Sequence, residues 1–138
     1  MDLYWNDNLK VGHAVIDEQH RQLFAAFADF IAACEQRRGQ AHLQEIFAFL
    51  DHYTRSHFAA EEELMERHDF AGLVAHQEQH RRFVARLVDL QREMGASGPT
   101  IKVLIGTTKT LIYWLTEHIR DVDTRVAGFL HTALDDHA

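Results

Sequence analysis

Apolar residues return every three to four positions along most of this chain, and one Pro and seven Gly in 138 residues leave that rhythm with few interruptions. A period near 3.6 is that of a helix with one buried face, whereas a half-buried strand would alternate every second residue. The stripes predict four long helices. The first runs from about Asp17 to Arg38 through Ile16, Leu23, Phe27, Phe30, Ile31 and Cys34, and ends at Gly39. The second runs from about Ala41 to Arg67 along Leu43, Ile46, Leu50, Tyr53 and Leu64. The third spans about Gly72 to Met94 through Leu73, Phe83, Leu87 and Leu90, and the Gly95 to Pro99 segment stops it. The fourth starts beside Pro99, a residue suited to a helix N-terminus, and carries Leu104, Leu111 and Leu115 to about Arg120. Residues 1–16 hold Trp5, Leu9 and Val11 without a period and read as an irregular N-terminal arm; Val126, Leu130 and Leu134 mark a short C-terminal helix. Loops this short turn successive helices antiparallel. The expected fold is therefore all-α, an up-down-up-down antiparallel four-helix bundle formed as a single domain over residues 1–138.

Composition narrows the function classes. At 46% hydrophobic, a chain of this length buries roughly two-thirds of its unfolded surface, so a core is available without staples. The lone Cys34 rules out an internal disulfide. No apolar run of about 18 residues and no basic-then-apolar leader is present, which points away from membranes and export and toward the cytoplasm. Lys and Arg number 14 against 21 Asp and Glu, a net charge of -7, so no nucleic-acid footprint is expected.

Histidine is the anomaly, with 11 copies. Five of them, and one Glu, take positions where a stripe calls for an apolar residue: His20 on the first helix, His57 and Glu61 on the second, His76 and His80 on the third, and His118 on the fourth. His13, His42, His52, His68, His131 and His137 fall in the arm, loops, tail or outer faces and read as solvated. His20 and the His76–His80 pair lie near helix starts, while His57, Glu61 and His118 lie near helix ends, so alternating directions gather all six at one end of the bundle. Burying several imidazoles and a carboxylate without partners would cost on the order of several kcal/mol, and a metal removes that cost. An i,i+4 spacing, kept by His57–Glu61 and His76–His80, separates two side chains by about 40° around the helix and about 6 Å along it, near enough to serve one metal centre.

Asp123 is the remaining candidate. It follows His118 by five residues, which on a regular helix leaves it about 140° away, so both reach one site only if the helix unwinds or bulges. The break is expected near Asp121 to Asp123. The alternative is that Asp123 simply caps the C-terminal helix.

Taken together, the residues resemble the hemerythrin family, specifically its single-domain bacterial members. The resemblance runs over nearly the whole chain: Trp5 with Val11-Gly12, Ile16-Asp17 followed by His20 and Leu23, His57-Phe58 with Glu61-Glu62 and Met65, His76 and His80 with Phe83, then Trp114-Leu115, His118-Ile119 and Asp123. Position by position it implies seven iron ligands, His20, His57, Glu61, His76, His80, His118 and Asp123, holding two Fe ions joined by an oxo or hydroxo group. It further implies that Glu61 and Asp123 bridge the pair, that His76, His80 and His118 serve one iron, and that His20 and His57 serve the other, which keeps a position open for O2. Leu23, Phe58, Trp114, Leu115 and Ile119 would then form the apolar wall of an oxygen pocket, their alternative being ordinary core packing. Where the family often has Tyr-Pro before the third-helix ligands, this chain has Phe70-Ala71, which touches no ligand. Asp17 and His20 also mimic the acidic-x-x-His pair of ferritin-like carboxylate proteins, but five His against two carboxylates reverse that family's ratio.

The function implied is reversible dioxygen binding, for storage, delivery or transport, without catalysis. A diiron enzyme reducing peroxide or nitric oxide, or a sensor acting through a separate partner, would use the same ligands, and an oxygen-consuming partner enzyme is compatible with delivery. A zinc-filled or metal-free bundle is the plain structural alternative.

Overall fold

The computed structural model describes residues 13–122. They form α1 (Ala14–Glu35), α2 (Gly39–Arg67), α3 (Leu73–Ser97) and α4 (Ile101–Tyr113), and α4 continues directly into a π-helical segment, Trp114–Val122. This is the all-α four-helix bundle that the stripes require. Connections at 36–38, 68–72 and 98–100 are too short to allow anything but antiparallel neighbours. The expected arm before residue 13, the C-terminal helix through Val126, and Asp123 lie outside the described residues, as do His131 and His137.

Several boundaries differ from the sequence reading, each for a physical reason. α1 begins at Ala14, three residues earlier than expected, because the His13 ring accepts a hydrogen bond from the Ile16 backbone N–H and caps the helix. Gly39 does not stop α1. Arg37 makes the turn at φ 61°, and Gly39 opens α2 at a point where a Cβ would stand 2.7 Å from Cys34 Sγ and 3.1 Å from Leu104 Cδ1. The glycine lets α1, α2 and α4 approach closely. α3 runs through Gly95 to Ser97 and is ended by Gly98 at φ 81°, where glycine avoids the Cβ penalty. Thr100, just after Pro99, caps α4 by accepting from Val103 N–H at 3.2 Å, a contact worth about 1 kcal/mol.

The core lies along the bundle axis and joins Phe24, Phe27 and Phe30 of α1 with Leu43, Ile46, Phe47 and Leu50 of α2, Leu87 and Leu90 of α3, and Val103 and Leu111 of α4. Ile31, Cys34 and Leu104 sit at its edge, half-buried, while Leu64 and Leu73, also half-buried, pack instead against Met65. Met65, absent from the expected stripe, is fully buried and packs with Phe70 and Leu73 under the α2–α3 loop. One pole, where Gly39 meets Cys34 and Leu104, is thus apolar. The opposite pole holds the histidines. No helix among the described residues is long and apolar enough to cross a membrane.

Candidate metal centre

His20, His57, Glu61, His76, His80 and His118 come from all four helical columns and are at most 3% exposed. The remaining described histidines, His13, His42, His52 and His68, are half-buried or exposed, so the division into inward and outward histidines holds, although His13 and His42 have protein partners rather than water alone.

The five inward imidazoles sort into two sets around the two oxygens of the sixth inward group, the Glu61 carboxylate. On one side, the Nε2 atoms of His76, His80 and His118 face Glu61 Oε1; His76 is in direct contact, His80 stands at 3.3 Å and His118 at 3.9 Å. On the other side, the Nε2 atoms of His57 and His20 lie 3.1 and 3.8 Å from Glu61 Oε2, and 3.0 Å from each other. Within each set the donor atoms all fall within 4.8 Å of one another, a spacing at which one cation could contact them together. Burial would push the Glu61 carboxyl up, but the imidazoles of His118, His57, His76 and His80 packed around it outweigh burial and hold the group well below the usual carboxylate range. Glu61 is therefore an anion at neutral pH, with both oxygens presented to imidazoles.

The outward ring nitrogens explain how the inner ones are prepared. His57 Nδ1–H donates to Gln19 Oε1 at 2.7 Å, His80 Nδ1–H to Glu62 Oε2 at 2.9 Å, and His118 Nδ1–H to Gln79 Oε1 at 2.8 Å. An imidazole with its proton fixed at Nδ1 keeps a lone pair at Nε2, the form a metal takes. His80 Nε2 shows the consequence: it is buried, points at Glu61 and has no hydrogen-bond partner there. Imidazole nitrogens converging on one carboxylate inside a dry core fit a cation between them, and an N-rich donor set of this kind accepts first-row transition metals, non-haem iron among them.

Sequence reading missed Gln19, Glu62 and Gln79 as partners. A usable signal existed, since each is adjacent in sequence to an inward residue and so points sideways from its own helix toward a neighbouring one. Aromatic rings fix the imidazole planes further. Phe58 lies flat on His80 with centroids 3.8 Å apart, Trp114 flat on His118 at 3.8 Å, and Tyr53 against His57 at 4.8 Å. Leu23, Leu115 and Ile119 are buried in the same core cluster as Phe58 and Trp114.

The helix carrying His118 does unwind, but the departure begins at Trp114 rather than near Asp121. In a π-helix the backbone bonds i to i+5, so residues five apart stack on one face instead of diverging. Thr116 sits at the transition and its hydroxyl donates back to the Ile112 carbonyl at 2.8 Å, an arrangement that bends helices. The buried residues of the segment, Trp114, Leu115, His118 and Ile119, follow the wider turn.

The family profile described as Hemerythrin HHE cation binding domain matches residues 11–130. Relatives include the bacteriohemerythrin of Stenotrophomonas maltophilia, 32% identical over 99% of this chain and 86% of its own length. The myohemerythrin of Riftia pachyptila is 32% identical over 91% of this chain and 92% of its own. The bacteriohemerythrin of Pseudomonas aeruginosa is 32% identical over 93% and 79% respectively.

Proposed function

Because the chain belongs to the hemerythrin family, we propose that its buried cluster holds two iron ions and binds dioxygen reversibly, for storage, delivery or transport rather than for catalysis. The observation that carries the proposal is the division of five imidazoles between the two oxygens of Glu61. His76, His80 and His118 would hold one iron, His20 and His57 the other, and Glu61 would bridge them.

Two six-coordinate ions offer about twelve positions. His20, His57, His76, His80 and His118 would fill five of them, Glu61 and Asp123 would fill four more, and a shared oxo or hydroxo group would account for two. That would leave one position for dioxygen, on the side of His20 and His57. When bound, the two ferrous ions supply the electrons that dioxygen binding draws on and release returns. The protein's part is to bias that exchange toward reversal. Neutral imidazoles donate less charge than carboxylates, so the ligand set favours ferrous over higher-valent iron. Gln19, Glu62 and Gln79 hold the imidazole tautomers. Leu23, Phe58, Trp114, Leu115 and Ile119 would exclude water from the open side. Asp123, the seventh ligand implied by the family, follows directly in sequence on this π-helical segment.

Metal analysis of protein expressed with ample iron should return two irons per chain, and an aerobically purified sample should show an oxo-bridged diferric spectrum that bleaches and returns as oxygen is removed and restored. One iron per chain, or mostly zinc, would overturn the reading.

A further inference from the structure

A cleft of about 640 Å³ opens between α3 and the column of α4 and the π segment, on the outer side of His118. Its volume falls in the range of small-molecule sites. Its lining is ordered along its length. At one end Arg86 lies over Gly106, where a Cβ would stand 3.3 Å from the guanidinium Nη2, and Lys109 follows one turn along α4. Phe83 and Trp114, stacked at 4.2 Å and 16°, form the middle, with Tyr113 exposed beside them. Gln79, Glu117 and His118 close the far end.

The charges are arranged unevenly. Arg82, Arg86 and Lys109 contribute three cations against the carboxylate of Glu117, a local reversal of sign in a chain of net charge -7. Arg82 is matched by Glu78 at 3.4 Å. Among the described residues no ion pair or hydrogen bond engages Arg86 or Lys109, which leaves both heads available to an anion. An Arg fork beside a Lys suits a phosphate, which accepts several charge-assisted hydrogen bonds at once. Phe83 and Trp114 are 4% and 3% exposed and cover one another, so the ring face this lining offers a flat ligand is that of Tyr113, 67% exposed, and a flat ring can be held there by stacking. The acid at the opposite end disfavours the reverse orientation.

We propose that this cleft binds an aromatic phosphate monoester of mononucleotide size, its phosphate between Arg86 and Lys109 and its ring against the exposed face of Tyr113. The cleft borders the metal cluster at His118, but its phosphate end lies at Arg86 and Lys109, and its occupancy is measured without reference to oxygen.

The test is calorimetric titration of the iron-loaded full chain with flavin mononucleotide and with adenosine monophosphate, each paired with its nucleoside, riboflavin or adenosine. At least one phosphate monoester should bind with a Kd below about 1 mM and at least about tenfold more tightly than its nucleoside. Arg86→Ala and Lys109→Ala should each weaken it about fivefold or more, with circular dichroism and iron content unchanged, since both side chains are exposed. Lys102→Ala, which removes an exposed cation paired with Glu93 away from the cleft, should leave binding intact. The proposal is overturned if neither phosphate binds below about 1 mM, if nucleoside and nucleotide bind alike, if the two cleft variants bind as wild type, or if Lys102→Ala weakens binding as much as they do.

Discussion

Replacing Glu62 with Ala should loosen the hold on iron without unfolding the bundle. The carboxylate accepts from His80 Nδ1 at 2.9 Å and is 27% exposed, while His80 itself is 3% exposed. Deleting the acceptor removes a hydrogen bond to a charged group and frees the imidazole to place its proton on Nε2, where the metal must bind. Second partners of this kind typically change metal affinity by tenfold to a hundredfold, about 1.4 to 2.8 kcal/mol. Partial solvent access to Glu62 lets water replace some of the lost bond, so the lower half of that range is expected. The ring of His80 stays clamped flat against Phe58, which limits any wider collapse. Iron release to an excess of chelator, followed by absorbance, should be about tenfold faster in Glu62→Ala and close to wild type in Glu62→Gln, whose amide oxygen still accepts. Equal release rates in all three proteins, with iron content and melting temperature matched, would refute the role given to Glu62 and to the Nδ1 partners generally.

Asp123→Ala and Glu61→Ala should each lower iron content more than replacement of any single His, because a bridging carboxylate holds two ions; wild-type iron in Asp123→Ala would reduce that residue to a helix cap. Leu115 is fully buried, and Leu115→Asn should shorten the life of the oxygenated spectrum several-fold by admitting water, while Leu115→Met, which conserves volume, should not; identical decay rates would remove Leu115 from the pocket wall. Gly39→Ala should lower stability by roughly 1 to 3 kcal/mol through overpacking against Cys34, seen as a lower melting temperature that Cys34→Ala partly restores. Iron removal should speed hydrogen exchange in the π segment and the His76–His80 turn before the core around Leu50 and Phe30; uniform protection with and without iron would contradict that coupling.

What the sequence made legible is the part written in helical period and polarity. His20, His57, Glu61, His76, His80 and His118 could be placed because each interrupts an apolar stripe, and because alternating helix directions put them at one pole. Boundaries were less accessible, because they depend on contacts made by distant residues. Gly39 looks like a stop signal, yet its value lies in clearance from Cys34 and Leu104, the latter 65 positions away. The need for unwinding after His118 followed from angular arithmetic, but its start at Trp114 did not, since no local pattern marks where a helix changes pitch. Gln19, Glu62 and Gln79 are invisible to a stripe analysis because they stand off the stripe and serve a neighbouring helix's histidine rather than their own.

The cluster draws on α1, α2, α3 and the π segment at once, so ions seated there would act as a tether across the chain. The first and last described donors, His20 and His118, are 98 positions apart. Because the site exists only when these helices are folded together, ions seated there would add their binding free energy to the folded chain. The bundle's two poles therefore hold together by different means. The Gly39 pole depends on fit and persists in any medium that preserves hydrophobic packing. With ions seated, the histidine pole would behave like a buckle that a chelator or acid opens, and a cell short of iron would then carry the same chain with one end firm and the other unfastened.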